Sequence, residues 1–421
     1  MTRRYFGTDG VRGVVGRDIT PELVELLGRA ATIWAGGGAV LVGRDTRGSG
    51  PELEEALARG ILSAGGNAVL GGVLPTPAVA LCARDLGAVV SASHNPPEYN
   101  GVKLFDRDGA KLSDADEEEI ESFLDEPPIL IGIVERDDGV ANRYLEHVLD
   151  RFGADLSGVR IAVDCANGAY SAIAPEVFRR LGADLTVVGA EPDGTNINRG
   201  CGATDLTVLA HVVRENDLDF GVAFDGDGDR MLAVDAAGAT IDGDQILAIL
   251  ALHLGVDLVA VTSMTNLGFH RLMAERGIRV VTTDVGDRYV LEALRREGGM
   301  LGGEQSGHII WLQDHVTGDG LVAALLLCRA LERRPLAEAA AMLQRFPQAL
   351  QSVPVTTKGL PEAITVEIER MNRELGRTGR ILVRASGTEP VIRVLAEAET
   401  EEESERLCGT ISALVRRELG S

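Results

Sequence analysis

Short apolar runs that stop in polar, glycine-bearing loops, alternating with segments of helical periodicity, constrain this sequence more than any other feature. Residues 21–35, PELVELLGRAATIWA, carry apolar side chains at helical spacing behind a proline suited to a first turn. AVLVGRDTR follows as a strand running into a polar loop. The pattern then returns: residues 51–64 read as a helix, NAVLGGVLPTPA as a strand and turn, and GAVVSASHNP as a strand that ends in a loop. Strands alternating with helices imply βαβ units and mostly parallel pairing, and such sheets bind ligands beyond the carboxyl ends of their strands. Chemistry is therefore sought in the loops that follow strands.

A chain of 421 residues is too long for one ordinary core. Four blocks are expected, at 1–150, 151–242, 243–346 and 347–421. The acidic run SDADEEEIESFLDEPP reads as a solvated helix that closes the first block, and residues 141–153 as a linking helix. No repeat of fixed period is visible.

The formal charge of −23 excludes a protein that coats nucleic acid or an anionic membrane, since both reward a basic surface. An anionic substrate must instead meet locally concentrated arginines. Cys82, Cys165, Cys201, Cys328 and Cys408 are scattered without paired spacing, which indicates neither a disulfide framework nor a zinc site and points to a reducing, cytoplasmic setting. The start MTRRYFGTDG lacks the apolar core of a signal peptide, and QILAILALHL is too short to span a bilayer, so no membrane partner is expected.

AFDGDGDRM is the most informative stretch. Asp225, Asp227 and Asp229 alternate with glycines after a buried strand, so their carboxylates can converge, and their repulsion calls for a cation. Oxygen-only ligands point to a hard ion, Mg2+, against the plainer reading of an acidic turn exposed to solvent. A calcium loop of the EF-hand type needs Gly and Glu where this chain has Arg230 and Ala236, and is excluded. VRASGTEPVIRV sets Arg384 and Arg393 on either side of a turn containing Ser386, Gly387 and Thr388; it reads either as a phosphate cradle or as a hairpin with a polar tip. GGEQSGH offers Glu304, Ser306 and His308 beside glycines, a set suited to sugar hydroxyls but, taken alone, only a loop. In YFGTDGVRG, Thr8 and Arg12 stand in a glycine-rich turn, and Arg12 is the better functional candidate; Arg44 and Arg47 of VGRDTRGSG read as surface arginines. Ser93, alone, is a turn or helix cap. Near a divalent metal the same hydroxyl can accept and return a phosphoryl group, with Lys103 and His308 as candidates for moving the proton.

SASHNP, DGDGDR, GEQSGH and RASGTEPVIRV, in this order over nearly the whole chain, resemble the α-D-phosphohexomutase superfamily. YFGTDGVRG, VDCANGA, DGTNINRGCGATD, VGDRYV and TGDG further resemble its glucosamine-phosphate branch, whereas Tyr99 in NPPEYNGVK resembles the phosphomannomutase/phosphoglucomutase branch. The resemblance implies an α/β fold of four domains around a central cleft, the first three with related mixed α/β sheet cores and the fourth a smaller α+β domain. It implies that Ser93 is a phosphoserine and that Asp225, Asp227 and Asp229 hold one Mg2+ together with it. Glu304 and Ser306 would recognise the sugar, and Arg384, Ser386, Gly387, Thr388 and Arg393 the distal phosphate. Lys103, Arg12, Arg230 and His308 would line the reaction centre. The implied reaction is isomerisation of a phosphosugar through a 1,6-bisphosphate, glucosamine 1,6-bisphosphate in the favoured branch, by a monomer or homodimer. Within the superfamily the alternative substrates are mannose or glucose phosphates, and outside enzymes the alternative is a non-catalytic sugar-phosphate binding protein.

Overall fold

The computed structural model describes residues 4–7, 9–128, 132–357, 359–385 and 390–420. The chain divides into two compact units, one of residues 1–264 and 278–342 and one of residues 265–277 and 343–421. The first unit carries three sheets and the second carries one.

The first sheet contains β1 (Val11–Val14), β2 (Ala39–Arg44), β3 (Asn67–Val73), β4 (Leu86–Val90), β5 (Tyr99–Asp106) and β6 (Val134–Arg136), in the order β1-β5-β4-β2-β3-β6. Strands β4, β2, β3 and β6 run parallel, and β5 returns antiparallel beside β4. The second contains β7 (Arg160–Asp164), β8 (Asp184–Val188), β9 (Phe220–Phe224), β10 (Met231–Asp235) and β11 (Thr240–Ile241), ordered β11-β10-β9-β7-β8; β9, β7 and β8 are parallel and β10 returns antiparallel beside β9. The third contains β12 (Leu258–Thr262), β13 (Arg279–Thr283), β14 (Leu301–Gly303) and β15 (Ile309–Trp311), ordered β13-β12-β14-β15, again with a parallel core and a final antiparallel strand. All three sheets therefore share a scheme that the sequence does not display: the strand at the end of the parallel set turns into an antiparallel partner.

Local sequence explains the helices between these strands. Thr20 accepts from the Leu23 amide and Pro21 opens the helix Pro21–Trp34. Asp242 and Gln245 form a reciprocal capping box at the start of the helix Gly243–Leu254, whose Ile246–Ala251 run is buried. The linking helix is Val140–Phe152, with Val140, Tyr144, Leu145, Val148 and Phe152 buried. The acidic run departs from the expectation of a solvated helix. Ser113 and Asp116 cap the helix Asp114–Ser122, but Glu117 is buried and takes a 3.0 Å hydrogen bond from Arg288. A buried guanidinium on a later helix demands that carboxylate, so this face is turned inward.

In the second unit, β16 (Gln348–Pro354), β17 (Gly379–Ala385) and β18 (Val391–Ala398) form an antiparallel sheet ordered β16-β18-β17. Val353, Ile381, Ile392 and Val394 pack with Leu407, Ile411 and Val415 of the helix Glu401–Leu419. The helix Leu267–Glu275 belongs to this unit: Asn266 at its start donates to the Phe346 carbonyl at 2.9 Å and accepts from the Phe346 amide at 2.9 Å. Among the described residues no helix is long and apolar enough to cross a membrane.

Candidate active site

Three of the motifs occupy equivalent places. Residues 91–98, with Ser93, join β4 to β5; residues 225–230 join β9 to β10; residues 304–308 join β14 to β15. In each case a buried parallel strand delivers the loop at its carboxyl end, the position where such sheets bind ligands.

The first two loops meet. Ser93 Oγ donates to Asp225 Oδ2 at 2.5 Å, and Ser93 is 1% exposed. Its backbone has φ +51°, a left-handed conformation unusual for a residue with a side chain, and such strain persists only where the surroundings enforce it. Thr76 Oγ1 donates to Asp227 Oδ2 at 2.6 Å, and its amide donates to the Asp227 carbonyl at 2.8 Å. Lys103, on β5, bridges Asp227 Oδ2 at 2.6 Å and Asp229 Oδ2 at 2.9 Å, and lies 3.2 Å from Asp9 Oδ2.

Further charges extend the network. Arg12 and Lys111 both pair with Asp9, and Lys111 pairs with Asp287. His308 places Nε2 3.1 Å from Asp287 Oδ2 and Nδ1 3.7 Å from Asp229 Oδ1. Arg230 Nε lies 4.0 Å from Asp229 Oδ1. Burial, and then the charges of Asp229 and Asp227, push Asp225 up to about 8. Burial also opposes ionisation of Asp229, but Lys103 and His308 outweigh it and hold that carboxyl well below its usual range. Lys103 is raised because Asp227, Asp229 and Asp9 overcome the cost of its burial, and His308 is raised by Asp287 and Asp229 against the same cost.

The donor set suits a hard cation. One carboxylate oxygen from each of Asp225, Asp227 and Asp229 lies within 4.8 Å of the others, and all three residues are buried. Asp227 Oδ1 and Asp229 Oδ1 are buried without a hydrogen bond, which is costly for a carboxylate oxygen unless a cation completes it.

The third loop adjoins the second. The Met231 amide donates to the Gly307 carbonyl at 2.9 Å. Glu304 accepts from the Gly286 amide at 3.2 Å and from Ser306 Oγ at 3.4 Å. In the second unit, Arg384 and Arg393 stand directly opposite each other across β17 and β18. Thr8, Ser386, Gly387 and Thr388 lie outside the described residues.

Arg47 corrects the expectation of a surface arginine. It is 1% exposed, and its guanidinium donates to Asp45 and to the carbonyls of Ser93, Asn95, Pro96 and Tyr99. Five donors in a planar fork make arginine suited to gathering backbone carbonyls from a loop that has no strand partner. Arg44 is half-buried and pairs with Glu54 at 3.4 Å. Sequence reasoning also passed over Asp9, Thr76, Lys111 and Asp287. The one usable signal was position, since Asp9, Lys111 and Asp287 each sit in or beside a glycine-containing turn.

Domains I, II and III of the phosphoglucomutase/phosphomannomutase α/β/α family and its C-terminal domain match residues 3–128, 138–238, 242–346 and 331–414. The chain is 44% identical over 448 residues to the phosphoglucosamine mutase of Bacillus licheniformis, covering 99% of both chains. It is 48% identical over 447 residues to that of Acidothermus cellulolyticus, covering 100% of this chain and 97% of the other. The crystal structure of a phosphoglucomutase/phosphomannomutase family protein from Burkholderia thailandensis superimposes with a TM-score of 0.83 at 25% identity, over 97% of each chain. With four α/β domains matched in order and full-length relatives at this identity, the chain belongs to the phosphoglucosamine mutases of the phosphoglucomutase/phosphomannomutase family.

Proposed function

We propose that this isomerase interconverts glucosamine 6-phosphate and glucosamine 1-phosphate through a phosphorylated Ser93 and glucosamine 1,6-bisphosphate. The observation that carries the reading is the meeting of Ser93 Oγ with Asp225, beside a lysine that bridges the other two aspartates.

In the first half-reaction the bond from phosphorus to Ser93 Oγ breaks as a bond from phosphorus to a sugar hydroxyl oxygen forms. The proton of that hydroxyl leaves, and Ser93 Oγ gains one. Lys103 and His308 are the proposed proton carriers: one takes the proton of the sugar hydroxyl while the other gives its proton to Ser93 Oγ, and the two roles exchange in the return half-reaction. The bisphosphate then turns around and returns its other phosphate to Ser93, the same steps in reverse. Asp225, Asp227 and Asp229, with the Ser93 oxygen, would hold Mg2+, which would neutralise charge on the transferring group. Arg230, beside Asp229, and Arg12, paired with Asp9, add fixed positive charge to the site.

Glu304 and Ser306 are assigned to the sugar. Arg384, Ser386, Gly387, Thr388 and Arg393 are assigned to the distal phosphate; Arg384 and Arg393 stand opposite each other across β17 and β18, and guanidinium groups bind phosphate in bidentate fashion. The same reading takes the domain divisions at 1–150, 151–242, 243–346 and 347–421, a cytoplasmic enzyme of amino-sugar and cell-wall precursor supply, and a monomer or homodimer.

One purified sample, with Mg2+ and catalytic bisphosphate, should isomerise glucosamine phosphate with a higher kcat/KM than glucose or mannose phosphate. A preference for either hydroxyl sugar overturns the assignment in favour of the phosphomannomutase/phosphoglucomutase alternative, the reading that Tyr99 supports. Steady release of inorganic phosphate faster than isomerisation would indicate a phosphatase, and absence of all turnover a binding protein.

A further inference from the structure

We propose that Arg47 and Asn198 are positioning residues that clamp the main chain of Ser93 against the metal loop. This deepens the reading of Ser93 as the phosphoserine and rests on it.

Both polar groups of the Ser93 backbone are held. The amide donates to Ser91 Oγ at 2.9 Å, and Ser91 Oγ donates to Asp45 Oδ2 at 2.6 Å. The Ser93 carbonyl accepts from Arg47 Nη2 at 2.8 Å and from Asn198 Nδ2 at 2.8 Å. The same two donors reach the Asn95 carbonyl, at 2.8 Å and 3.1 Å. Arg47 and Asp45 are themselves a fully buried pair at 2.9 Å. Asn198 comes from the second sheet's domain, where its amide donates to the Ala166 carbonyl at 2.9 Å and its φ of +58° suits asparagine. The peptide of Gly226, between Asp225 and Asp227, closes the arrangement: a side-chain carbon there would lie 2.7 Å from the Ser93 carbonyl oxygen and 2.9 Å from Asn198 Nδ2.

The hydroxyl contact alone cannot keep this register through a catalytic cycle. Ser93 Oγ loses its proton donor function once it carries phosphate, so the bond to Asp225 exists in only one of the two states. The carbonyl bonds from Arg47 and Asn198 do not depend on what Oγ carries. They hold the left-handed turn at Ser93, and with it the direction of Oγ toward the aspartates, in both states. Displacement of a reacting atom by about 1 Å can cost about 100-fold in rate, which sets the scale for losing the clamp.

The test compares the full-length protein with Asn198→Gly, which keeps a left-handed backbone but has no donor, and with Asn198→Asp, which keeps the shape but cannot donate. Both are expected to lower kcat by about 10- to 100-fold with KM for the sugar phosphate changed less than about threefold. Transfer of phosphate from the bisphosphate to Ser93, followed by intact mass, is expected to slow by the same factor. Arg47→Lys keeps the charge beside Asp45 but not the planar fork, and should fall at least as far; if it does not fold, the Asn198 pair decides. Asn198→Gly or Asn198→Asp within about twofold of the parent kcat overturns the clamp, as does a rise in KM that matches the fall in kcat. If the parent protein itself neither isomerises any of the three sugar phosphates nor becomes phosphorylated at Ser93, the failure belongs to the proposed function instead.

Discussion

Lys103→Met is the perturbation that reads the electrostatics of the site without relying on turnover. The Lys103 ammonium is 2% exposed and lies within 3.2 Å of oxygens from Asp9, Asp227 and Asp229. Methionine fills a comparable apolar path with an unbranched chain, so the change removes charge and leaves little void. Removing one partner of a buried ion pair leaves the others uncompensated and costs about 3–5 kcal/mol. Unfolding entropy is about 2.1 cal/mol/K per residue, or about 0.3 kcal/mol/K for a block of about 150 residues, so Tm should fall by about 10–15 °C in chelator. On the proposed Mg2+ assignment, a divalent cation would compete with the ammonium for the same carboxylates, which the variant offers bare. If its Mg2+ affinity rises tenfold, saturating Mg2+ stabilises the variant by about 1.4 kcal/mol more than the parent, about 4 °C of extra recovery. Fluorescence of Trp34 and Trp311 through a thermal ramp at one scan rate, in chelator and in Mg2+, measures both quantities. A Tm in chelator within about 3 °C of the parent, or an equal Mg2+ shift in the two proteins, would refute the reasoning.

Three other perturbations bear on other parts of the chain. Gly228 has φ +80°, and a side-chain carbon there would lie 2.3 Å from the Tyr170 ring, which Asp319 and Tyr144 hold in place; Gly228→Ala should therefore misplace Asp227 and Asp229 and cut isomerisation by at least about 100-fold, and near-normal turnover would count against it. Tyr144→Phe removes a buried 2.6 Å hydrogen bond to the Asp319 carboxylate and should lower stability by about 1.5–3 kcal/mol in denaturant unfolding, with an unchanged midpoint as the contrary result. Burial, and then Arg380, push His270 down to about 4 from an ordinary 6.5. The unfolded chain therefore takes up the proton first, and this contribution to stability is complete above about pH 6.5 and lost as pH falls toward 4. His270→Gln should make the second unit lose about 2 kcal/mol less across that window, and parallel pH profiles of Tm would show that His270 is not responsible.

What the sequence disclosed, and what it withheld, follows from how far apart the interacting residues lie. Asp225, Asp227 and Asp229 converge because two glycines separate them, so their chemistry is written within five positions. Ser93 was visible because a fully apolar strand, Leu86–Val90, stops immediately before a run of polar residues and prolines. Arg47 looked like a surface residue because its polar loop says nothing about the carbonyls it meets, some 46 to 52 residues further along. The Lys103 contacts with Asp227 and Asp229 span 124 and 126 residues, and nothing local announces them. The likeness of the first three sheets was invisible for a different reason. A parallel strand followed by an antiparallel return constrains topology and burial, which many side chains satisfy, so no residue need recur at a fixed period. That shared hairpin is nonetheless what brings the three motif loops to the same end of each strand set. Once the loops are there, each is free to carry its own chemistry: a hydroxyl after β4, carboxylates after β9, a carboxylate, hydroxyl and imidazole after β14. The division of labour among the motifs is therefore a consequence of one repeated turn filled with three different sets of side chains, and the charges that bind the sets together come from residues whose partners only the fold selects.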